Sequence, residues 1–368
     1  MGRENYKTMR EEKMNFNLND TDKMFYSNYI KDFLPDKIID VHTHVWLDEF
    51  KHRAADYEKK SRSVSWPSMV AKDNSIEDHL ESYEIMFPEK LCIPMIFSNL
   101  FPGDDIEAGN GYISMCAGKY EIPSLMYTGP EAKPDDLEKK VLKGGFLGIK
   151  VYLNFAPYYI PQDEIRIYDY LTHEHLEVAD KNGWIVMLHI PRKDRLKDPV
   201  NLIQMMEIDK RYKNIKLIIA HVGRAYCNED VGDAFSVLKN SERMYFDISA
   251  NCNAWVFEQL LKNADTKKIL FGSDLPILRM RTKRICENGK YVNLVPKGLY
   301  GDVSKDSHMR EVSGEQSEKM TLFMYEEIKA FKLAANNIGL SDTDIEDVFF
   351  NNAKAMLLST GYNNIHFV

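Results

Sequence analysis

Cysteine is sparse. The five residues, Cys92, Cys116, Cys227, Cys252 and Cys286, are odd in number, scattered, and form no Cys-x-x-Cys pair of the kind that structural zinc and redox centres use. A reducing compartment is the expectation, with Cys227 read as a loop thiol. Positive charge is also in deficit: 48 Lys and Arg against 56 Asp and Glu leave a formal net charge of -8. No global positive field draws the chain to nucleic acid or an anionic membrane, and no basic stripe with interleaved aromatics appears. Long apolar runs are missing too. The first residues hold no apolar core of a secretory leader, and nothing reaches the roughly 18 consecutive apolar residues of a membrane helix, so a cytoplasmic protein is expected. Neither Gly-x-Gly-x-x-Gly nor a phosphate-binding P-loop occurs, and the absence of Gly-x-Ser-x-Gly argues against a serine nucleophile. There is no internal repeat or low-complexity tract.

What the 368 residues do contain, at 44% hydrophobic and 28% charged, is enough apolar material for a sizeable core in one or two domains. Eight apolar runs stand out: 38–45 (IIDVHTHV), 91–97 (LCIPMIF), 124–128 (SLMYT), 146–153 (FLGIKVYL), 184–189 (WIVMLH), 215–221 (IKLIIAH), 244–248 (MYFDI) and 268–274 (KILFGSD). They are apolar nearly throughout, as strands buried on both faces are, and amphipathic stretches such as 165–181 and 200–212 separate them. Strand and helix in alternation imply parallel βα units. Eight of them favour an α/β fold of the closed (β/α)8 barrel type over an open doubly wound sheet. Residues 1–35, charged and Asn-rich with one short helix before Pro35, read as an N-terminal extension, and 36–368 as the barrel. Long insertions follow strand 1 (46–90) and strand 8 (275 to about 315), on the side where barrel active sites are built. Two helices, 316–337 and 341–359, close the chain, the second opening on the capping residues Ser341, Asp342 and Asp344.

The first strand carries Asp40, His42 and His44 in alternation, so their side chains are expected to leave one face. Two histidines at that spacing on a strand can share a divalent metal. The same His-x-His pattern at His173 and His175 falls in a helical segment, where the two rings do not face each other, and reads as ordinary surface. His189, His221 and Asp274 each follow an apolar run immediately. Polar residues at the C-terminal ends of separate barrel strands converge on one mouth. Lys150 in strand 4 would reach that mouth as a cation. Arg192, Arg224, Arg279 and Arg281 follow these ligand-type residues closely, and their planar forks hint at a small anionic substrate, a carboxylate. Tyr152, Phe155, Tyr158 and Tyr159 could wall its pocket or serve ordinary packing.

With these residues in place, the chain resembles the amidohydrolase superfamily of metal-dependent (β/α)8 hydrolases, most closely its amidohydrolase-2 branch, which also contains decarboxylases. The matching pieces are Asp40-Val41-His42-Thr43-His44, Leu188-His189, Ala220-His221-Val222-Gly223, Gly272-Ser273-Asp274-Leu275-Pro276 and the terminal stretch 345–358 with Asn352 and Ala353. The resemblance covers roughly residues 36 to 360 and implies that His42, His44, His189 and Asp274 bind a metal, with His221 near the metal or the substrate. Zinc is the expected ion, one per chain, or two if Lys150 is carboxylated to bridge them. On this reading Asp274 takes a proton from the attacking water, His221 polarises the scissile carbonyl, and Asp40 supports a strand 1 imidazole or makes structural hydrogen bonds. The expected reaction is hydrolysis of a C–N or C–O bond in a small, carboxylate-bearing substrate. Non-oxidative decarboxylation of an unsaturated or aromatic acid is the alternative, and a non-catalytic metal- or ligand-binding barrel the third. A homo-oligomer is compatible with the long insertions.

Overall fold

The computed structural model describes residues 16–52 and 70–365. Residues 1–15 of the extension and 53–69 of the first insertion lie outside the described residues. The eight expected strands are all present: β1 Lys37–His44, β2 Leu91–Phe97, β3 Met126–Tyr127, β4 Gly148–Val151, β5 Ile185–Leu188, β6 Lys216–Ile219, β7 Met244–Asp247 and β8 Ile269–Leu270. β1 pairs with β2, and β3 to β8 form a ladder in chain order, every pairing parallel. Backbone hydrogen bonds complete the ring at its two seams. At one, Ile96 N–H donates to Pro123 O (2.9 Å) and Leu125 N–H to Ile96 O (3.0 Å). At the other, Val41 N–H donates to Phe271 O (3.0 Å), His44 N–H to Leu275 O (2.8 Å) and Asp274 N–H to His42 O (2.8 Å). The fold is a (β/α)8 barrel, as the alternation of runs and amphipathic stretches predicts.

The short helix α1, Asp20–Phe25, precedes the barrel. The crossovers hold α2 Ile76–Met86, α3 Ile106–Tyr120, α4 Pro134–Gly144, α5 His173–Asn182, α6 Pro199–Arg211, α7 Ala234–Leu238 and α8 Ala254–Asn263. Inside the ring, Ile39, Val41, Met95, Leu125, Ile185, Met187, Ile218 and Leu270 pack with Phe350, Ala353, Met356 and Leu357 of the closing helix. Asn352 Nδ2 donates to Thr266 O (2.8 Å) and Ile269 O (2.9 Å), so this helix plugs the end where β8 begins. The opposite end stays available for chemistry. No helix among the described residues is long and apolar enough to cross a membrane.

The excursion after β8 folds into a three-stranded sheet of β9 Lys283–Glu287, β10 Lys290–Pro296 and β11 Met309–Val312, in the order β11-β10-β9. The helix expected from residue 316 is interrupted: Glu315–Glu318 forms one short helical turn, and α9 proper spans Phe323–Ile338 because the backbone between them pairs elsewhere. Thr282 N–H donates to Thr321 O (3.2 Å) and Phe323 N–H to Met280 O (2.7 Å). A second difference concerns cysteine: Cys227 is not a free loop thiol but is disulfide-bonded to Cys286, with 5.8 Å between their Cα atoms. The excursion folds back onto the loop after β6 and joins residues 59 apart in the chain, which spacing alone does not reveal. Cys92, Cys116 and Cys252 remain free.

Arg281 ties this excursion to the N-terminus. Its guanidinium grips the fully buried Asp22 of α1 with two bonds (2.7 and 2.5 Å), and the Thr321 hydroxyl donates to the same carboxylate (2.9 Å). Removing one partner leaves the other charge buried and unpaired. Arg281→Met is therefore expected to lower unfolding stability by about 3–5 kcal/mol, measured by urea titration; a loss under about 1 kcal/mol would show that water reaches Asp22.

Candidate metal centre

At the C-terminal mouth, a β-bulge in β1 decides which side chains point inward. The register with β2 shifts between Asp40 and Thr43. Ile39 and Val41 face the interior before the shift; His42 does so after it, beside Phe97 (ring centroids 5.3 Å apart) and Lys150 (Nζ 3.5 Å from His42 Nε2). Asp40, expected on the same face as the two histidines, points outward instead. Its Oδ1 accepts from His42 N–H (3.1 Å) and Ser273 N–H (2.9 Å), and its Oδ2 from the Tyr83 hydroxyl of α2 (2.7 Å). Such bulges re-aim side chains at barrel rims. Asp40 is thus a structural hydrogen-bonding residue, the second of its two expected roles.

The carboxylate that holds the His42 ring is Asp247, at the end of β7. Its Oδ2 lies 2.9 Å from His42 Nδ1, while Oδ1 accepts from the backbone N–H of His221 (2.8 Å) and Ser249 (3.1 Å) and from the Ser249 hydroxyl. Because that hydroxyl donates to Asp247, it accepts from His221 Nδ1, 2.8 Å away. Both rings therefore carry hydrogen on Nδ1 and a lone pair on Nε2, a tautomer assigned from these partners. His44 follows the same rule, its Nδ1 directed at the Ser98 carbonyl (3.2 Å). Its Nε2 then faces Asp274 Oδ1 at 3.2 Å, and His42 Nε2 faces the same oxygen at 3.6 Å. Acceptors set this close need a proton or a cation between them.

One ligand atom each from His42, His221 and Asp274 lies within 4.8 Å of the others. His44 and His189, expected ligands, flank this group: His44 through Asp274, His189 with its ring centroid 5.2 Å from that of His221. His189 Nδ1 is buried without a hydrogen-bond partner. Electrostatics suit a cation. Burial, reinforced by the Lys150 charge and only partly opposed by Asp247, brings the His42 pKa down to about 3. Burial also lowers that of His221, and it holds that of His189 well below the ordinary range, helped by Arg224. For Asp274 burial acts upward, but the close approach of His44 and the surrounding imidazoles outweigh it and bring the carboxyl to about 2. Neutral imidazoles beside an ionised carboxylate are the donor forms a divalent metal requires. Lys150, pushed down to about 8 by burial, sits 5.0 Å over the Phe97 ring.

Backbone strain is concentrated here. His221, Val222, Arg224 and Asp274 all take left-handed φ angles, 57°, 50°, 60° and 53°. Such residues, the β-branched Val222 above all, cluster at sites where the surroundings over-determine geometry. Gly272 lets β8 pass against the ligand strand: a Cβ there would lie 2.9 Å from His42 Cβ and 3.3 Å from Asp247 Cβ.

The four arginines separate. Arg192 pairs with Asp198 (2.9 Å), Arg281 with Asp22, and the buried Arg279 hydrogen-bonds Asn74. Among the described residues, Arg224 Nη1 binds backbone carbonyls alone, those of Ile190 (3.2 Å), Pro191 (3.1 Å) and Arg192 (3.4 Å). Tyr152 lies with its ring centroid 4.5 Å from that of His189 and Phe155 packs in the core, whereas Tyr158 and Tyr159 are exposed. His175 corrects the reading of the helical His-x-His pair as surface. It is buried, its Nε2 2.6 Å from Ala132 O, because its side of α5 packs inward. Asp247 and Ser249 are the residues that sequence reasoning passed over. The signal for Asp247 was present, an acid ending the apolar run MYFD as Asp274 ends its own.

Fold and site together define a (β/α)8 barrel enzyme with a cation-type donor cluster at the strand ends. The chain belongs to the amidohydrolase family, whose model matches residues 121–358; β1, with His42 and His44, precedes the matched stretch. No curated protein matches it in sequence. Among solved structures it is similar to a probable 2-pyrone-4,6-dicarboxylic acid hydrolase from Acinetobacter baumannii with citric acid bound, at 16% identity and TM-score 0.52, over 87% of this chain and 98% of that one. It is also similar to a 5-carboxyvanillate decarboxylase from Sphingomonas paucimobilis (10% identity, TM-score 0.51, 88% and 99% covered). A third is a dihydroxybenzoic acid decarboxylase from Polaromonas sp. JS666 with bound manganese and the inhibitor 2-nitroresorcinol (12%, 0.51, 90% and 100%). At these identities the likeness establishes the shared barrel fold.

Asp247→Asn keeps the shape but replaces the charged acceptor under His42 and His221. Outer partners of this kind are worth 10–100-fold in metal affinity, so zinc binding, measured by chelator competition, is expected to weaken by about that factor. Unchanged affinity would remove Asp247 from the role given to it here.

Proposed function

We propose that the chain is a metal-dependent hydrolase that cleaves a C–N or C–O bond in a small, carboxylate-bearing molecule. The convergence of His42, His221 and Asp274, with both imidazoles fixed through Asp247 and Ser249, supports this reading most directly. These three residues would hold one divalent cation, with His44 and His189 completing its surroundings and zinc the favoured ion for so imidazole-rich a set. When bound, such an ion supplies Lewis acidity, lowering the pKa of a coordinated water from 15.7 toward ~7 and polarising a substrate oxygen. Lys150 acts in this scheme as a cation at the mouth, and the one-ion assignment follows from that role.

The protein residues divide the remaining work. Asp274, ionised at neutral pH, accepts the proton of the attacking water on its carboxylate and returns it to the leaving group. Asp247 keeps the His42 ring from rotating and, through the Ser249 hydroxyl, the His221 ring as well, so their Nε2 atoms stay directed at the reacting centre. Arg224, with no ion-pair partner among the described residues, offers Nε and Nη2 to a substrate carboxylate. A second reading, decarboxylation, uses the same arginine and cluster, and two structurally similar proteins are named as decarboxylases. The third reading, a non-catalytic barrel, gives way to membership of an enzyme family.

Asp274→Asn is expected to lower turnover at least about 10³-fold while preserving the melting transition. The assay is a panel of acidic amides and lactones, followed by product chromatography, run beside aromatic carboxylates followed by carbon dioxide release. Turnover retained by the variant would refute the proton-transfer role, and carbon dioxide as the product would replace hydrolysis with decarboxylation.

A further inference from the structure

The excursion after β8 turns one face to the barrel mouth. In the β9–β10 ladder Arg284 stands opposite Asn293 and Cys286 opposite Tyr291, and directly opposed residues of an antiparallel pair share a side. That side meets the loop leaving β6, to which the Cys286–Cys227 disulfide fastens it. The other side, Ile285, Val292 and Leu294, packs with Met320. Arg284 consequently enters the mouth. Its Nη1 donates to the carbonyl of Ala250, the residue after the Ser249 that holds His221.

Tyr226 lies between the two loops concerned: the Arg284 guanidinium stands over its ring, and Arg224 precedes it on the loop leaving β6, the Arg224 carbonyl accepting from Tyr226 N–H (3.0 Å). Its ring centroid lies 6.4 Å from that of His221, and the Arg284 guanidinium carbon stands 4.6 Å over it and 4.5 Å over Tyr291. Arg224 and Arg284 are the first charges to act on the Tyr226 phenol after burial itself. Among the described residues neither has a carboxylate partner: Arg284 bonds Asn293 Oδ1 (2.8 Å) and the Ala250 carbonyl, and Arg224 backbone carbonyls. Their neighbour Arg195, 5.2 Å over the same Tyr226, is neutralised by Asp230 at 2.7 Å. Two half-buried guanidinium groups without a carboxylate partner among the described residues carry an electrostatic cost that a bound anion would offset.

We infer that Arg284 and Arg224 form an anion subsite, floored by Tyr226, that binds a substrate carboxylate remote from the bond that reacts. The substrate class is then a dicarboxylate or an acid derivative whose second acidic group is the reacting one. This deepens the hydrolase reading and rests on it for the word substrate; the subsite itself is readable by binding alone.

The test is calorimetric titration of the full-length chain, with and without added zinc, using succinate, glutarate and adipate against butyrate, valerate and hexanoate. In the unaltered protein at least one dicarboxylate is expected to bind about tenfold tighter than its monocarboxylate, the scale of a charge-assisted hydrogen-bond pair. Arg284→Gln, whose amide nitrogen falls near the Nε position that donates to Asn293 Oδ1, and Arg224→Met should each remove most of that preference. Arg284→Lys should keep part of it, and Arg310→Met, on β11 of the same excursion but paired with Glu287 in solvent, all of it. Equal affinities for the two series, or a preference intact in an Arg284→Gln variant whose thermal melt shows it folded, would overturn the subsite. The titration without zinc separates the two readings, since a preference dependent on Arg284 survives there even if the hydrolase assignment fails.

Discussion

A single buried carboxylate organises the mouth of this barrel. Asp247 accepts from the His42 ring, the His221 backbone and both donors of Ser249, so it orders two strand ends and the start of a third loop. A buried anion is tolerated only when its lone pairs are filled, and here every filling group is part of the site or supports it. The His42 hydrogen bond and the charges around it outweigh burial and hold the carboxyl below the usual carboxylate range. Both imidazoles are thereby kept with Nε2 bare, and the left-handed backbone from His221 to Arg224 is held against its own preference.

The rest of the mouth follows from how the chain pays for closing the ring. β1 has to hydrogen-bond β2 on one side and the β8 exit on the other, and the bulge after Asp40 is where its inward parity changes. Gly272 leaves the room for β8 to pass His42. Above the ring, the β9–β11 sheet is bonded to the β6 loop by Cys227–Cys286 and to α1 by Arg281 and Asp22. It brings Arg284 over Tyr226 and so adds positive charge to a molecule whose total is -8. Net charge and local field differ here because most other arginines near the mouth are spent in internal pairs.

Much of the architecture was legible in the residues. Runs such as WIVMLH and IKLIIAH could only be strands buried on both faces, and their spacing left room for one helix each, so the barrel follows from pattern. The positions of His42, His189, His221 and Asp274 at strand ends were legible for the same reason. What was not legible depended on register. A one-residue bulge turned Asp40 outward, and Asp247, which carried the same strand-end signal, gained its meaning only from its distance to His42.

The amino-acid pattern by itself therefore determined the alternation of strand and helix, the closed parallel ring and the set of residues able to reach its mouth, because burial and period are local properties of the chain. Tertiary structure alone decided which of them meet. It selected His221 beside His42 and Asp274, neutralised Arg192 and Arg281, and brought Arg284 across from an excursion whose pairing spans 59 residues at its disulfide. Contacts of that kind depend on where the chain returns in space, and no spacing in the sequence records the return.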